Sequence, residues 1–342
     1  MCIYYGDILG LTYKKREHIF PAGLGGKMML PKGYVSDQAN ELFSPLEAAL
    51  MHNSLLSTTR ALLGPGKRGS FNSKKTSKSK VSVLENSDGK IALGYISGKN
   101  GYYINSLTKS NGLFVFTVAT EQHNSPQLAW EEFKNEISSF NDKFGCIFSS
   151  HLKQNEWIFG IYNGKYYVAL GSECNIELVK KELLFIATTS KSGPLNQKSD
   201  HPEFDIHLME SDLIGRVYAK VAVNVLAALK GEDYIDHNRF RTIKDWVLGK
   251  EDVEDYSQLP RVTPANMLKF PELCHWCIYL IRDGKLCVTV CFYNAFSRYF
   301  EVADSIAQLD CGFDGMGGMI CDWKNKKEYT LNQWIAETAS QL

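Results

Sequence analysis

Near the start of the chain, Arg16-Glu17-His18-Ile19-Phe20-Pro21 sets a carboxylate directly before an imidazole, and an amide, Asn40, follows 22 residues after the histidine. These residue types could carry out metal-assisted hydrolysis. A hard divalent cation such as Mg²⁺, with Mn²⁺ or Ni²⁺ as substitutes, takes oxygen ligands, and the Glu17 carboxylate and the Asn40 side-chain carbonyl supply two. A neutral imidazole accepts a proton from water near pH 7, which makes His18 the expected general base. The water would attack a phosphodiester whose leaving oxygen the cation stabilises. Residue type and spacing leave a second reading open, because a strand histidine before a proline is more often structural than catalytic. Adjacent strand residues also point to opposite faces, so Glu17 and His18 share a site only if the backbone twists between them.

Other candidates surround this group. Residues 64–80, GPGKRGSFNSKKTSKSK, hold six basic residues, one aromatic and no acid. Arg60, Lys67, Arg68, Lys74 and Lys75 could neutralise nucleic-acid phosphates, giving salt-dependent backbone contacts without base reading. The competing reading is a solvated linker. Glu47 reads as the capping-box partner of Ser44 ahead of a metal ligand, and His52 and Asn53 lie too far along a helix from Asn40 to be ligands. Cys274-His275-Trp276-Cys277 with Cys287 and Cys291 reads as buried free thiols rather than a zinc site. The glycine-rich run at 313–319 lacks the lysine of a phosphate loop and reads as a turn. Arg216, Lys220 and Asn224 fall on one helical stripe, read as a solvated or inter-domain face, with a sensor surface as the alternative.

The elements that must position these residues follow from turn and helix signals. A strand is expected from Thr12 to Phe20, stopped by Pro21, then a Gly/Pro loop and a second short strand at Tyr34-Val35. Asp37 can cap a short turn. Ser44-Pro45-Leu46-Glu47 reads as a fresh helix start running towards Arg60. Strands are expected at 81–84, 91–96, 101–105 and 112–118. A helix opens at Asn124-Ser125-Pro126, and hairpins turn at Asn163-Gly164 and Asp283-Gly284. Apolar periodicity predicts helices at 211–230, 239–248 and 331–341.

Glu17-His18-Ile19-Phe20-Pro21, then Leu24-Gly25-Gly26, then Asn40, resembles the HNH (ββα-metal) endonuclease family, in the branch that reads EH-I-x-P, LGG and C-x-x-C-N. The resemblance covers about residues 1–70. It implies a β-hairpin and helix gripping one divalent ion, with His18 as general base and Glu17 and Asn40 on the metal side. Members of this branch often carry a structural zinc on two C-x-x-C pairs. Here those positions read Cys2-Ile3-Tyr4-Tyr5 and Ser36-Asp37-Gln38-Ala39, so one thiolate of four remains and no structural zinc is expected. Packing by Ile3, Tyr4, Tyr5, Val35 and Ala39 would replace that cross-link.

Composition bounds the rest. The 342 residues are 44% hydrophobic and 22% charged, which excludes disordered, collagen-like and coiled-coil chains. There is no apolar run long enough to span a bilayer and no secretory leader, and nine scattered cysteines suit reduced thiols in a cytoplasm. The net charge is zero, yet residues 1–80 carry twelve Lys/Arg against five Asp/Glu, a net +7 that the remainder balances. A basic front end points to a polyanion partner. The expectation is an α+β protein: an HNH-like module over 1–80, then an α+β body over 81–342 with antiparallel hairpins. That body would position substrate, sense a trigger or form a homo-oligomer. The expected activity is divalent-metal-dependent endonuclease cleavage, first of double-stranded DNA, in a manner resembling bacterial defence effectors. The alternatives are a ribonuclease using the same site, and an inactive HNH-like module that binds nucleic acid or protein.

Overall fold

The computed structural model describes residues 1–66, 78–85, 89–97, 100–121, 125–140, 144–148, 152–172, 174–190, 196–197, 212–250, 269–306 and 315–339. In chain order these hold α1 (Asp37–Asn53), α2 (Leu55–Leu63), β1 (Ser82–Glu85), β2 (Ile91–Ser97), β3 (Asn100–Tyr103), β4 (Asn105–Ser110), β5 (Leu113–Thr117), α3 (Pro126–Ile137), β6 (Phe144–Phe148), β7 (Trp157–Tyr162), β8 (Lys165–Leu170), α4 (Ile176–Thr189), β9 (Asn196–Gln197), α5 (Asp212–Lys230), α6 (Glu232–Asp236), α7 (Arg241–Leu248), β10 (His275–Arg282), β11 (Lys285–Phe292), β12 (Phe296–Asp304), β13 (Met316–Asp322), β14 (Lys327–Thr330) and α8 (Leu331–Ala339). The class is α+β, as expected.

The chain divides into two compact units, and the division is not the one expected at residue 80. One unit joins Met1–Arg60 and Gly64–Thr76 to Glu210–Leu342; the other holds Ser77–Met209 with Ala61–Leu63. The reason lies in α1. Its apolar stripe of Ala39, Phe43, Leu46 and Leu50 is buried in one continuous cluster with α5, so the N-terminal segment has no core of its own. Helix α5 is apolar on nearly every side: Val217, Val221, Ala222, Val225 and Leu226 are all buried. Such a helix must be covered all round. It packs against α1 and against an antiparallel sheet of order β12-β11-β10-β13-β14.

The second unit holds a six-stranded mixed sheet, β6-β8-β7-β4-β5-β9, and a three-stranded antiparallel sheet, β1-β2-β3. Trp130 and Phe133 of α3 and Val179 and Leu183 of α4 share a core with Leu107, Phe116 and Phe159 of the larger sheet. Its β7–β8 hairpin turns through Asn163 and Gly164, both at positive φ; Asp283 and Gly284 do the same between β10 and β11. The two-residue loop with both φ values positive matches the strand twist, which is why these dipeptides were legible. Asn111-Gly112 makes a third such turn between β4 and β5; the strands expected at 101–105 and 112–118 do not cover 106–110, which belongs to β4.

Three local expectations change. Residues 12–20 form no strand. The backbone N–H groups of Lys14 and Lys15 donate to the Asp37 carboxylate, and the Asp37 N–H donates to the Thr12 carbonyl, so the start of α1 satisfies groups that a neighbouring strand would otherwise pair. Tyr34-Val35 is likewise no strand, although the Ile3 N–H donates to the Tyr34 carbonyl at 2.8 Å. Nor does a helix restart at Ser44. Ser36 is the N-cap, accepting from the Ala39 N–H, and α1 runs through Pro45. An internal proline costs about 3 kcal/mol; burial of Leu46 and Leu50 beyond it keeps the helix going. Ile3, Tyr4, Val35 and Ala39 are buried and Tyr5 is half-buried, the packing expected in place of a zinc cross-link.

Candidate functional site: a buried lysine between two carboxylates

The Glu-His dipeptide sits in a short two-stranded contact. The Leu30 N–H donates to the Glu17 carbonyl at 2.8 Å, the Ile19 N–H donates to Met28 at 2.9 Å, and His18 forms an antiparallel bridge with Met29. Alternation then decides the faces. Glu17 and Ile19 point inward and are buried, while His18 is half-exposed.

Inside, Glu17 meets the ammonium of Lys220 from α5, and Glu47 from α1 meets the same nitrogen. Lys220 is fully buried, with its Nζ 5.2 Å from the centre of the Phe43 ring. One turn further along α5, the Asn224 amide donates to the His18 carbonyl at 3.0 Å and its oxygen accepts from the Tyr4 hydroxyl at 2.7 Å. Lys220 and Asn224, at i and i+4 on α5, thus tie the Glu-His segment to the N-terminal residues.

Burial pushes the Glu17 carboxyl upward, Lys220 pulls it back and Glu47 raises it again, leaving it above the ordinary carboxylate range. Burial alone would lower Lys220, but Glu47 and Glu17 together hold it above the ordinary lysine value, so it stays charged. Burial raises the Tyr4 phenol and keeps it a donor. Burial also lowers the His18 imidazole, with Glu47 opposing and Lys220 assisting, so the ring is neutral near pH 7.

Among the expected site residues, Asn40 is not brought to this group. Its amide donates to the Ser36 carbonyl at 3.2 Å, inside its own helix. It lies two turns from Glu47, about 10 Å along the axis. Glu17 is thus paired with an ammonium, and the Asn40 amide nitrogen is committed inside its own helix. Among the described residues, no group of three His, Cys, Asp or Glu side chains is placed to hold a metal.

Arg60 is also corrected. It is buried, and its guanidinium donates to the Gly23 and Gly66 carbonyls at 2.9 Å each, which removes it from phosphate contact. Lys67, Arg68, Lys74 and Lys75 lie outside the described residues. His52 is exposed at the end of α1.

The LGG run has a packing explanation. The Leu24 carbonyl accepts from Nε2 of the fully buried His275 at 3.0 Å, while Nδ1 of that ring accepts from the Tyr293 N–H at 3.0 Å. Both nitrogens need the neutral ring, and burial pushes its pKa down to about 3. Gly25 has φ +96°, and a Cβ there would meet Trp323 at 2.7 Å; one on Gly26 would lie 2.1 Å from the Phe20 carbonyl oxygen. Only glycine fits either position.

The remaining candidates are structural. Cys274, Cys277, Cys287 and Cys291 are buried, and burial raises each thiol, Cys291 to about 12. Such thiols are inert. Gly317 and Gly318 lie inside β13 rather than in a turn, with Gly317 against the Tyr279 ring; Phe313 and Asp314 lie outside the described residues. The stripe on α5 was read as a solvated or inter-domain face, or a sensor surface; it faces the N-terminal residues rather than solvent. Lys220 and Asn224 are fully buried, and Glu47 is the partner of Lys220 rather than a capping residue. A usable signal existed: a lysine inside a helix that is apolar all round must find a counter-charge.

Comparison of the chain with protein-family models, with curated proteins and with solved structures finds no match. Among the described residues, no helix is long and apolar enough to cross a membrane.

Proposed function

We propose that the chain is an HNH-like nucleic-acid-binding protein whose Glu-His segment serves as a scaffold rather than a metal centre. The observation that carries this reading is the pairing of Glu17 with Lys220, which commits the carboxylate expected to hold the ion. A polyanion partner is supported by the cationic residues flanking His18: Lys14, Lys15, Arg16, Lys27 and Lys32 are all exposed. The Arg16 guanidinium donates to the Met29 and Leu30 carbonyls, which holds one of these charges across the His18–Met29 contact. Phosphate contacts from such a face position a nucleic acid without reading its sequence. Binding of the full chain to duplex DNA, single-stranded DNA and RNA, followed by fluorescence anisotropy between 50 and 200 mM salt, tests it. The Lys14/Lys15/Lys27/Lys32→Ala variant should lower the salt slope by roughly 0.9 for each duplex phosphate contact removed. Absence of salt-dependent binding to all three would overturn the reading.

One observation favours the endonuclease instead. His18 is half-exposed, neutral near pH 7 and fixed through its carbonyl by Asn224, as a general base would need to be. Plasmid or RNA cleavage in Mg²⁺, Mn²⁺ or Ni²⁺ that His18→Ala abolishes would put this reading first, and the substrate cut would decide between DNA and RNA.

A further inference from the structure

Leu9 is 99% exposed and its neighbour Ile8 53%, and among the described residues no other large apolar side chain is as exposed as Leu9. The tip that carries this pair is fixed at both ends. Gly6 and Gly10 turn the chain at φ +73° and +88°. Before the tip, the Gly6 N–H donates to the Cys2 carbonyl at 2.7 Å, and the Cys2 N–H donates back to the Gly6 carbonyl at 3.2 Å. After it, the Gln38 amide of α1 donates to the Gly10 carbonyl at 3.3 Å, and its oxygen accepts from the Thr12 N–H at 3.2 Å. The preceding residue of α1, Asp37, fixes the backbone of Lys14 and Lys15. The first turn of α1 therefore seats both an aliphatic tip and two exposed cations, with at most about 18 Å of chain between Leu9 and Lys14.

A lone exposed leucine needs no explanation. An aliphatic pair on a fixed tip beside cations matches the wedges that some DNA-bending proteins push between base pairs. Unstacking costs free energy, so such a wedge works best when it is ordered beforehand and when cations hold the flanking phosphates. Asp7 is also exposed on the tip. Its charge repels phosphate, which suits a tip aimed at base edges and tells against an anionic lipid surface, where the whole tip would meet headgroups. We propose that Ile8 and Leu9 form an apolar wedge that enters between base pairs of duplex DNA while Lys14 and Lys15 contact the adjoining phosphates. The wedge rests on the nucleic-acid reading above and adds to it that the duplex is deformed. Pyrimidine–purine steps, which unstack most easily, are the preferred points of entry.

The test uses the full chain and a duplex DNA with 2-aminopurine at a pyrimidine–purine step, a base whose fluorescence rises on unstacking. Anisotropy of the same duplex reports binding. Wild type should raise the fluorescence as it binds. Ile8→Ser/Leu9→Ser should bind roughly tenfold more weakly, without the fluorescence rise and with an unchanged salt slope, because no charge is removed. Leu9→Met, another apolar wedge, should keep the rise. Lys14→Ala/Lys15→Ala should lower the salt slope and keep the rise at saturation. Binding by wild type without a fluorescence change would overturn the wedge and leave the nucleic-acid reading standing, as would duplex affinity unaltered in Ile8→Ser/Leu9→Ser. No binding to any nucleic acid would overturn both. Loss of binding to phosphatidylserine vesicles in that variant, with duplex binding intact, would assign the tip to lipid and overturn the proposal. The double serine variant should keep its Tm within about 2 °C; a larger fall would mean that the tip packs within the fold, which also overturns it.

Discussion

Two lysines in this molecule have similar partners and opposite surroundings. Lys220 touches two carboxylates and lies over an aromatic ring with its side chain 0% exposed. Lys78, in the other unit, pairs with Glu121 at 3.5 Å, donates to the Tyr95 and Tyr162 hydroxyls at 3.0 and 2.9 Å, and lies 4.5 Å from the Tyr95 ring centre, yet its side chain is 47% exposed. Both are held above the ordinary lysine value. Their contacts alone would rank them together. Water separates them: a solvated pair can be broken cheaply, whereas a buried one leaves a charge with nowhere to go.

The sharpest way to break this comparison is Lys220→Met, which strands the buried Glu17 carboxylate and the part-buried Glu47. It should cost about 3–5 kcal/mol in urea unfolding, and adding Glu17→Gln and Glu47→Gln should return most of that. A loss below about 1 kcal/mol would mean that water reaches the group.

Next is the pH response of His275. Its folded pKa, about 3, lies below the ordinary value of 6.5. Between these values the unfolded chain binds a proton that the folded chain refuses. Stability is therefore full above pH 6.5 and falls as pH drops towards 3, by up to about 1.4 kcal/mol per pH unit. His275→Gln should flatten the difference in stability between pH 6.5 and 4.5; an identical profile in wild type and variant would show that the ring titrates normally.

Asn224→Ala should cost about 1–3 kcal/mol for the His18 carbonyl it strands, and less for the Tyr4 hydroxyl, which keeps the Lys220 carbonyl as an acceptor. Combined with Tyr4→Phe, it should cost less than the sum of the two single changes. Smallest is Lys78→Ala, expected at about 0–1 kcal/mol and shrinking with added salt. An effect as large as that of Lys220→Met would erase the distinction between the two lysines.

How much of this was legible in the sequence depended on whether a signal was local. The Asn163-Gly164 and Asp283-Gly284 turns were read correctly because two residues suffice to set positive φ. The span of α5 followed from its apolar run and Gly231. The inward direction of Glu17 was implicit in strand alternation, but its partner stands about two hundred positions away and no local rule names it. The Asp37 carboxylate that captures the Lys14 and Lys15 N–H groups is likewise non-local, so 12–20 read as a strand. Ser44-Pro45-Leu46-Glu47 misled because a sound capping pattern lost to continuous burial of the α1 stripe, and Glu47 went to Lys220. The division at residue 80 failed for the same reason. A composition change marked the basic segment, while the core ignored it.

The grip of His275 on Leu24 spans 251 positions of sequence. Trp323, which crowds Gly25, is emitted later still. During synthesis Leu24 and Gly25 therefore leave the ribosome well before the partners that fix them. The apolar stripe of α1 can close on α5 as soon as that helix emerges, whereas Leu24 and Gly25 stay without His275 and Trp323 until β10 and β13 follow.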